Sequence, residues 1–483
     1  MWIADLPFVE PVAAAEALGA LPGLAFLDSA MHHDTLGRTS TLAADPFGRF
    51  RFRDGVATLD GRTVPGSGLA ALRACLAPYR TAPDPDLPAF AGGAIGYVAY
   101  DFGAALERVA PPARRAGLCD DIAFNLYDTV LSLDHATGRC RLLATGFPET
   151  EPAAREARAQ SRLAQFTSLL ERARPSPEPP AQGPLAWRSN FTRPAYEAAV
   201  ERVRDYIRAG DIYQANIAQR FETDLPEGFD SFALYRRLRA TNPATFGAYL
   251  DFEGLRVASS SPERFIQLKG RAIETRPIKG TVRRVPDPQE DARLGEALQA
   301  NAKERAENIM IVDLLRNDLS RICEPHSVQV PVLCGLESYA SVHHLVSVVT
   351  GTLKADMDAL DLIAATFPGG SITGAPKLRA MDIITDIEGD ARELYCGAIG
   401  ALGFTGDLDT AIAIRTVFMN DRTAVLQAGG GVTLLSEPGP EYEETLTKAA
   451  RVFQAFEPDA FEPDAFVPHA CEPDAQSGAG RAP

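Results

Sequence analysis

Apolar and polar residues alternate through Phe47-Gly48-Arg49-Phe50-Arg51-Phe52, and Val56-Ala57-Thr58-Leu59 follows the turn residues Asp54-Gly55. Thr129-Val130-Leu131-Ser132-Leu133 precedes a further turn containing Gly138. Period-two patterning bounded by turn residues predicts a meander of antiparallel strands across residues 1–147. Phe90–Tyr97 carries three glycines in a strand-like run, which implies close backbone packing in the core or against a ligand.

The period then lengthens. Residues 149–174, rich in Ala, Arg, Glu and Leu, read as an exposed helix ended by Pro175-Ser176-Pro177-Glu178-Pro179-Pro180, a linker. Thr192 is the expected N-cap of a helix running through Val203, Tyr206 and Ile207 to Gly210, with a strand after it at 213–221. Residues 289–319 give the longest helical pattern, broken once near Ala300-Asn301. Its expected buried stripe is Leu294, Leu298, Ile309, Val312, Leu315 and Leu319. Strands return at 327–332, 344–353, 398–404, 411–417 and 423–428. Strands and helices are segregated, so the expected class is α+β, with large antiparallel β-sheets packed as a sandwich and flanked by helices. A doubly wound nucleotide-binding fold does not fit. The expected divisions are a β-rich region 1–147, a helix and linker 148–189, a second region 190–455 and an acidic, proline-rich tail 456–483. That tail repeats Glu-Pro-Asp-Ala-Phe from Glu457, and proline at this density forbids helix and central strand.

Composition narrows the function. The chain has 483 residues, is 46% hydrophobic and carries a formal charge of −16 without basic clusters, which argues against nucleic acid and anionic membranes as partners. No apolar run is long enough to span a bilayer, and the N-terminus lacks a basic signal-peptide start, so a cytoplasmic location is expected. Seven scattered cysteines with no C-x-x-C pair read as reduced, and argue against a disulfide scaffold or a zinc site.

Candidate chemistry centres on Arg276-Pro277-Ile278-Lys279-Gly280-Thr281. Pro277 stiffens the segment and Gly280 permits a sharp turn or close ligand approach, so Lys279 is presented from an extended backbone. In a closed site desolvation would lower the lysine pKa and supply a nucleophilic amine; in an open loop the same residue is simply solvated. Ser260-Ser261-Pro262-Glu263-Arg264 pins a carboxylate shortly upstream, fit for proton transfer if buried or for pairing with Arg264 if structural.

Glu304 and Glu307 share one helix face, and Glu441 and Glu444 repeat the spacing after Pro438-Gly439-Pro440. Two such faces suit Mg²⁺, which takes few protein carboxylates and fills its shell with water and substrate oxygen; each alone also reads as a solvated face. Gly429-Gly430-Gly431 could present backbone amides to an anion or form a flexible hairpin. Phe367–Lys377 is a glycine-rich turn into a helix with Ser371 or Thr373 facing a ligand. It is not a phosphate loop, because Ala375-Pro376 stand where Lys-Ser/Thr is required. His344 lies within a strand, as a satisfied core residue or a site residue.

These stretches, with Gly210–Asn216 and Ala428–Lys448, resemble in sequence and order the chorismate-utilising enzymes across residues 190–455. The resemblance implies that chorismate binds with Mg²⁺ held by Glu307 and Glu444, supported by Glu304 and Glu441. It implies that Gly280, Thr281, His344, Ser371, Tyr395, Arg415, the amides of Gly429, Gly430 and Gly431, and Lys448 line the site. Lysine at 279 is similar to the branch that forms 4-amino-4-deoxychorismate, through a covalent Lys279 adduct with Glu263 as acid and base. The anthranilate-forming branch carries alanine there, and isochorismate-forming relatives carry a base lysine where this chain has Gln214. Ammonia would come from a separate glutamine amidotransferase subunit in a heterodimer, serving 4-aminobenzoate and folate synthesis. Ala25–Ala30 resembles a segment that binds tryptophan in the family. The alternatives are the anthranilate-forming enzyme and a non-catalytic chorismate- or tryptophan-binding paralogue.

Overall fold

The computed structural model describes residues 1–31, 36–177, 185–339, 342–457 and 467–468. Pro179, Pro180 and Pro184 of the linker and nearly all of the repeat tail lie outside the described residues. Among the described residues, two large sheets of 13 and 12 strands carry the chain, paired antiparallel except where Arg188–Ser189 meets Val467–Pro468.

The elements that carry the site are, in chain order, β1 (Gln214–Asp224), β2 (Leu255–Ser261), β3 (Arg264–Lys269), β4 (Ile278–Arg283), α1 (Pro288–Ala300), α2 (Ala302–Ile322), β5 (Val342–Thr352), α3 (Lys377–Glu388), β6 (Leu408–Ile412), β7 (Thr416–Met419), β8 (Thr423–Val432) and α4 (Pro438–Phe456). In the first sheet, Phe246–Phe252, β2, β7, β8 and β1 lie side by side. In the second the order runs β4, β5, Ala272–Thr275, β3, β6, Ala398–Gly403, Gly93–Val98. Strands from residues 1–147 enter both sheets, so N-terminal and C-terminal segments share one hydrogen-bonded frame.

One apolar cluster fills the space between the sheets, with Phe50, Ile95, Phe124, Leu250, Val257 and Phe418 all buried. A second joins the outer face of the first sheet to its helices through Phe26, Ile217 and Val417 against Phe166, Tyr196 and Leu446. Burial on both faces explains why several strands read as continuous apolar runs. The glycines of Phe90–Tyr97 serve the core: a Cβ on Gly96 would strike the backbone of Ala123 in the neighbouring strand.

Thr192 caps its helix through the Ala195 N–H, as expected, and Asn301 caps α2 through Lys303 and Glu304, which turns the anticipated break into a clean restart. The restart shifts the helical phase. Asn308, Ile311, Val312, Leu315 and Leu319 of α2 face inward, whereas Ile309, expected in the stripe, is 37% exposed. The strand expected at 411–417 is two strands, β6 and β7, in different sheets; the chain crosses between them at Ala413–Arg415, where Arg415 has φ 51°. All six described cysteines are free thiols.

Candidate functional site

The chain passes between the sheets near the site at two points. Pro262-Glu263 links β2 to β3, and Ala413–Arg415 links β6 to β7. The crossings are laced together: Ile412 N–H donates to the Glu263 carbonyl at 3.0 Å, and Ser260 N–H to the Arg415 carbonyl at 3.1 Å. Strands ending where the sheets diverge thus aim Glu263 and Arg415 at one another's neighbourhood.

Glu263 is 6% exposed, and its Oε1 has no hydrogen-bond partner among the described residues. Burial pushes its carboxyl up to about 6, against the pull of Ser371, Lys279, the Ile278 N–H and Arg415. Such a group carries a proton close to neutrality and can give or take one. Arg415 is itself lowered by burial, with Glu263 the charge that opposes this, and it forms no ion pair among the described residues. A half-buried guanidinium without a carboxylate partner is a receptor for an anion.

Lys279 enters from β4, beside a register irregularity in the β4–β5 pairing between Ile278 and Thr281. Gly280 takes φ 78°, so the glycine anticipated for a turn is used as one. Thr281 Oγ1 lies 2.8 Å from His344 Nδ1 on β5. His344 is buried; burial and then Arg415 lower it to about 4, so its ring is neutral at physiological pH.

Two acidic helix faces close over these strands. A Cβ on Gly430 would stand 3.2 Å from Glu441 Oε2 and 3.3 Å from Glu444 Oε1, and one on Gly280 3.0 Å from Glu304 Oε2. Glycine at both points lets the carboxylates of α2 and α4 lie against the backbone. Burial raises Glu307, with Glu304 and Glu441 adding to the effect and Lys279 opposing it. Burial likewise raises Glu441, whose Oε2 is buried without a hydrogen-bond partner among the described residues. Burial also acts on Glu444, but Lys448, Lys279 and Lys303 outweigh it and hold its carboxyl below the usual range.

Crowded carboxylates with an orphaned oxygen fit a divalent cation. Among the described residues no three such groups converge into a closed ligand set. Mg²⁺ needs only one or two protein carboxylates and leaves room for substrate oxygen.

On β8, Gly429, Gly430 and Gly431 pair with Ala218, Ile217 and Asn216 of β1. The β7 pairing on the other edge ends at Leu426, so the glycines extend beyond it and that backbone edge can meet a ligand. Lys448 donates to the Gly429 carbonyl at 3.0 Å and pairs with Glu444 at 2.6 Å, which ties its ammonium to the acidic face. Gln214 and Lys279 approach Gly431 together; a Cβ there would collide with the Gln214 carboxamide and stand 3.4 Å from Lys279 Nζ. Both polar atoms of the Gln214 side chain lack hydrogen-bond partners among the described residues.

Tyr395 is expected to line the site. It is 3% exposed, with its ring 5.7 Å from the Arg392 guanidinium and beside Cys396, a thiol that senses the Glu263 charge. The motifs do not reveal Lys303, whose charge reaches Glu307, Glu441 and Glu444; its place beside Glu304 in the first turn of α2 was the available signal.

A separate cavity of about 620 Å³ opens between the sheets, lined by Leu27, Asp28, Ser29, Phe246, Arg264 and Asp409 among others. The Ala25–Ala30 segment forms part of its wall. Asp28 is already engaged by Arg239 at 2.6 Å and the Tyr235 hydroxyl at 3.0 Å.

A model of the family described as chorismate binding enzyme matches residues 28–454. The chain is 42% identical over 380 residues to aminodeoxychorismate synthase component 1 of Salmonella typhimurium, covering 79% of this chain and 80% of the relative. It is 39% identical over 385 residues to anthranilate synthase component 1 of Aquifex aeolicus, covering 77% and 76% respectively. The solved structure of anthranilate synthase component I from Streptococcus pneumoniae superposes with a TM-score of 0.76 at 33% identity, covering 86% of this chain and 92% of that one.

Proposed function

Because the chain belongs to the chorismate-binding enzyme family, we propose that it is an aminodeoxychorismate synthase component 1, replacing the C4 hydroxyl of chorismate with ammonia. The observation that carries this reading is the position of Lys279, whose charge acts on Glu263, Glu307 and Glu444 together. A lysine at the electrostatic centre of the site has a chemical task.

Arg415 and the free backbone edge of Gly429–Gly431 receive the substrate carboxylates, as a planar guanidinium and converging amides do. Glu307 and Glu444 would hold Mg²⁺, with Glu304 and Glu441 in support, and the cation would offset the charge shared by these glutamates and the dianionic substrate. The Lys279 ammonium gives a proton to solvent and the free amine attacks C2; the ring double bonds shift, and the C4–O bond breaks as Glu263 delivers a proton, so water leaves. Ammonia then attacks C4, the double bond returns, and the C2–N bond to Lys279 breaks. Glu263 takes back a proton from the new amine. Two substitutions through one covalent adduct replace a single difficult one. Neutral His344, held by Thr281, lines the site without adding charge.

Ammonia would be supplied by a glutamine amidotransferase subunit, and the product would feed 4-aminobenzoate and folate synthesis in the cytoplasm. The intersheet cavity would take a small zwitterionic aromatic ligand such as tryptophan, tested by calorimetric titration of the amino acid. The activity is tested with chorismate, ammonium and Mg²⁺: 4-amino-4-deoxychorismate without pyruvate supports the reading, and anthranilate with pyruvate defeats it.

A further inference from the structure

Arg392 is 1% exposed, and its guanidinium joins three parts of the molecule. It donates to the Ile372 carbonyl at 3.0 Å, to the Asn216 carbonyl on β1 at 2.7 Å, and to both oxygens of Glu388 at the end of α3, at 2.9 and 2.7 Å. Glu388 in turn accepts the Ala218 N–H of β1 at 2.9 Å. The Arg392 carbonyl accepts from the Gln427 side chain on β8 at 2.8 Å, and the guanidinium lies 4.7 Å from the Tyr100 ring centroid. The joined points matter to the site: Ile372 follows Ser371, which faces Glu263, and Asn216 is the β1 partner of Gly431. The Asn216 N–H also donates to the Thr373 carbonyl at 2.7 Å, so the turn bearing Ser371 is fastened to β1 from both sides of Asn216.

We infer that the Arg392–Glu388 pair is a positioning device: it fixes the Ser371 turn against β1 and thereby sets the hydroxyl that faces the Glu263 carboxyl. The inference rests on the proposed amination of chorismate, for which Glu263 is acid and base. A planar fork reaches two carbonyls and a carboxylate together; a lysine ammonium cannot span them.

The test is a double-mutant cycle of Arg392→Lys and Ser371→Ala, read by the pH dependence of kcat and by the chorismate KM. The groups facing Glu263 are Ser371, Lys279, the Ile278 N–H and Arg415, and only the first is altered. Arg392→Lys should lower kcat about tenfold, less than the roughly 10²–10⁴-fold that full loss of a general acid costs, with KM within twofold. It should move the alkaline fall in rate upward as Ser371→Ala does, and the double variant should match Ser371→Ala alone. A lower melting temperature with an unchanged kcat and pH profile, or additive losses in the double variant, would overturn the inference. Should Arg392→Lys fail to fold, Glu388→Gln keeps the shape and removes the charge; it must show the same upward shift, and a wild-type profile counts against the device. A wild type that makes no 4-amino-4-deoxychorismate defeats the underlying reading instead, whatever the variants do.

Discussion

Lys279 and Gly431 meet across the site, with no room for a side chain between them: a Cβ on Gly431 would lie 3.4 Å from Nζ and collide with the Gln214 carboxamide. β4 and β8 belong to different sheets, so the separation records how closely the two sheets approach at this point. Gly431→Ala should therefore displace Lys279 or Gln214 by a few tenths of an ångström or more. We expect kcat/KM for chorismate to fall about 100-fold, the cost of a small misplacement of a reacting group. Circular dichroism should stay native, and wild-type kinetics would show that the gap has no function.

Glu263 carries a stability cost. Its carboxyl stands at about 6 in the fold against an ordinary value near 4.5, so the native state binds its proton more tightly than the unfolded chain does. The destabilisation is absent below the unfolded value, grows through that interval and is complete above it, reaching about 2 kcal/mol. Glu263→Gln should raise the melting temperature by about 2 °C at pH 7.5, and by nothing at pH 4, while abolishing turnover. An equal gain at both pH values would rule out this origin.

His344 should not titrate in the working range, because burial and Arg415 hold it near 4. Its imidazole carbon resonances should stay constant from pH 5.5 to 8. A midpoint inside that window would place a charge on the ring that the surrounding cations do not permit.

The acidic faces of α2 and α4 should answer to a divalent cation. Chelation should abolish turnover and Mg²⁺ restore it, with Glu307→Gln and Glu444→Gln each raising the half-saturating Mg²⁺ concentration at least tenfold, a loss of about 1.4 kcal/mol per ligand. Full activity in excess chelator would remove the metal from the site.

Much of this site is legible in the sequence where one residue type constrains the backbone by itself. Pro262 and Pro277 mark the segments that present Glu263 and Lys279, and Gly280 does take the positive φ its turn requires. Helix spacing alone puts Glu304 with Glu307, and Glu441 with Glu444, on shared faces. What stays hidden depends on pairing between distant segments. Ala411–Val417 reads as one strand because nothing local announces that Arg415 bends the chain into the other sheet.

Ile309 fails for another reason. The capped restart at Asn301 resets the helical phase, and the buried polar Asn308, bonded to the Leu345 carbonyl at 3.3 Å, occupies a core position that an apolar stripe would skip. Arg392 is invisible for the same cause. A lone arginine in a turn has no periodicity, and its worth lies in carbonyls 20 and 176 residues away.

The central claim is that Lys279 is a nucleophile toward chorismate, and intact-mass spectrometry of the enzyme quenched during turnover without ammonia tests it most directly. Wild type should gain the mass of chorismate less water, and Lys279→Ala should not. Absence of the adduct in the wild type, or its presence in the Lys279→Ala variant, would contradict the covalent route.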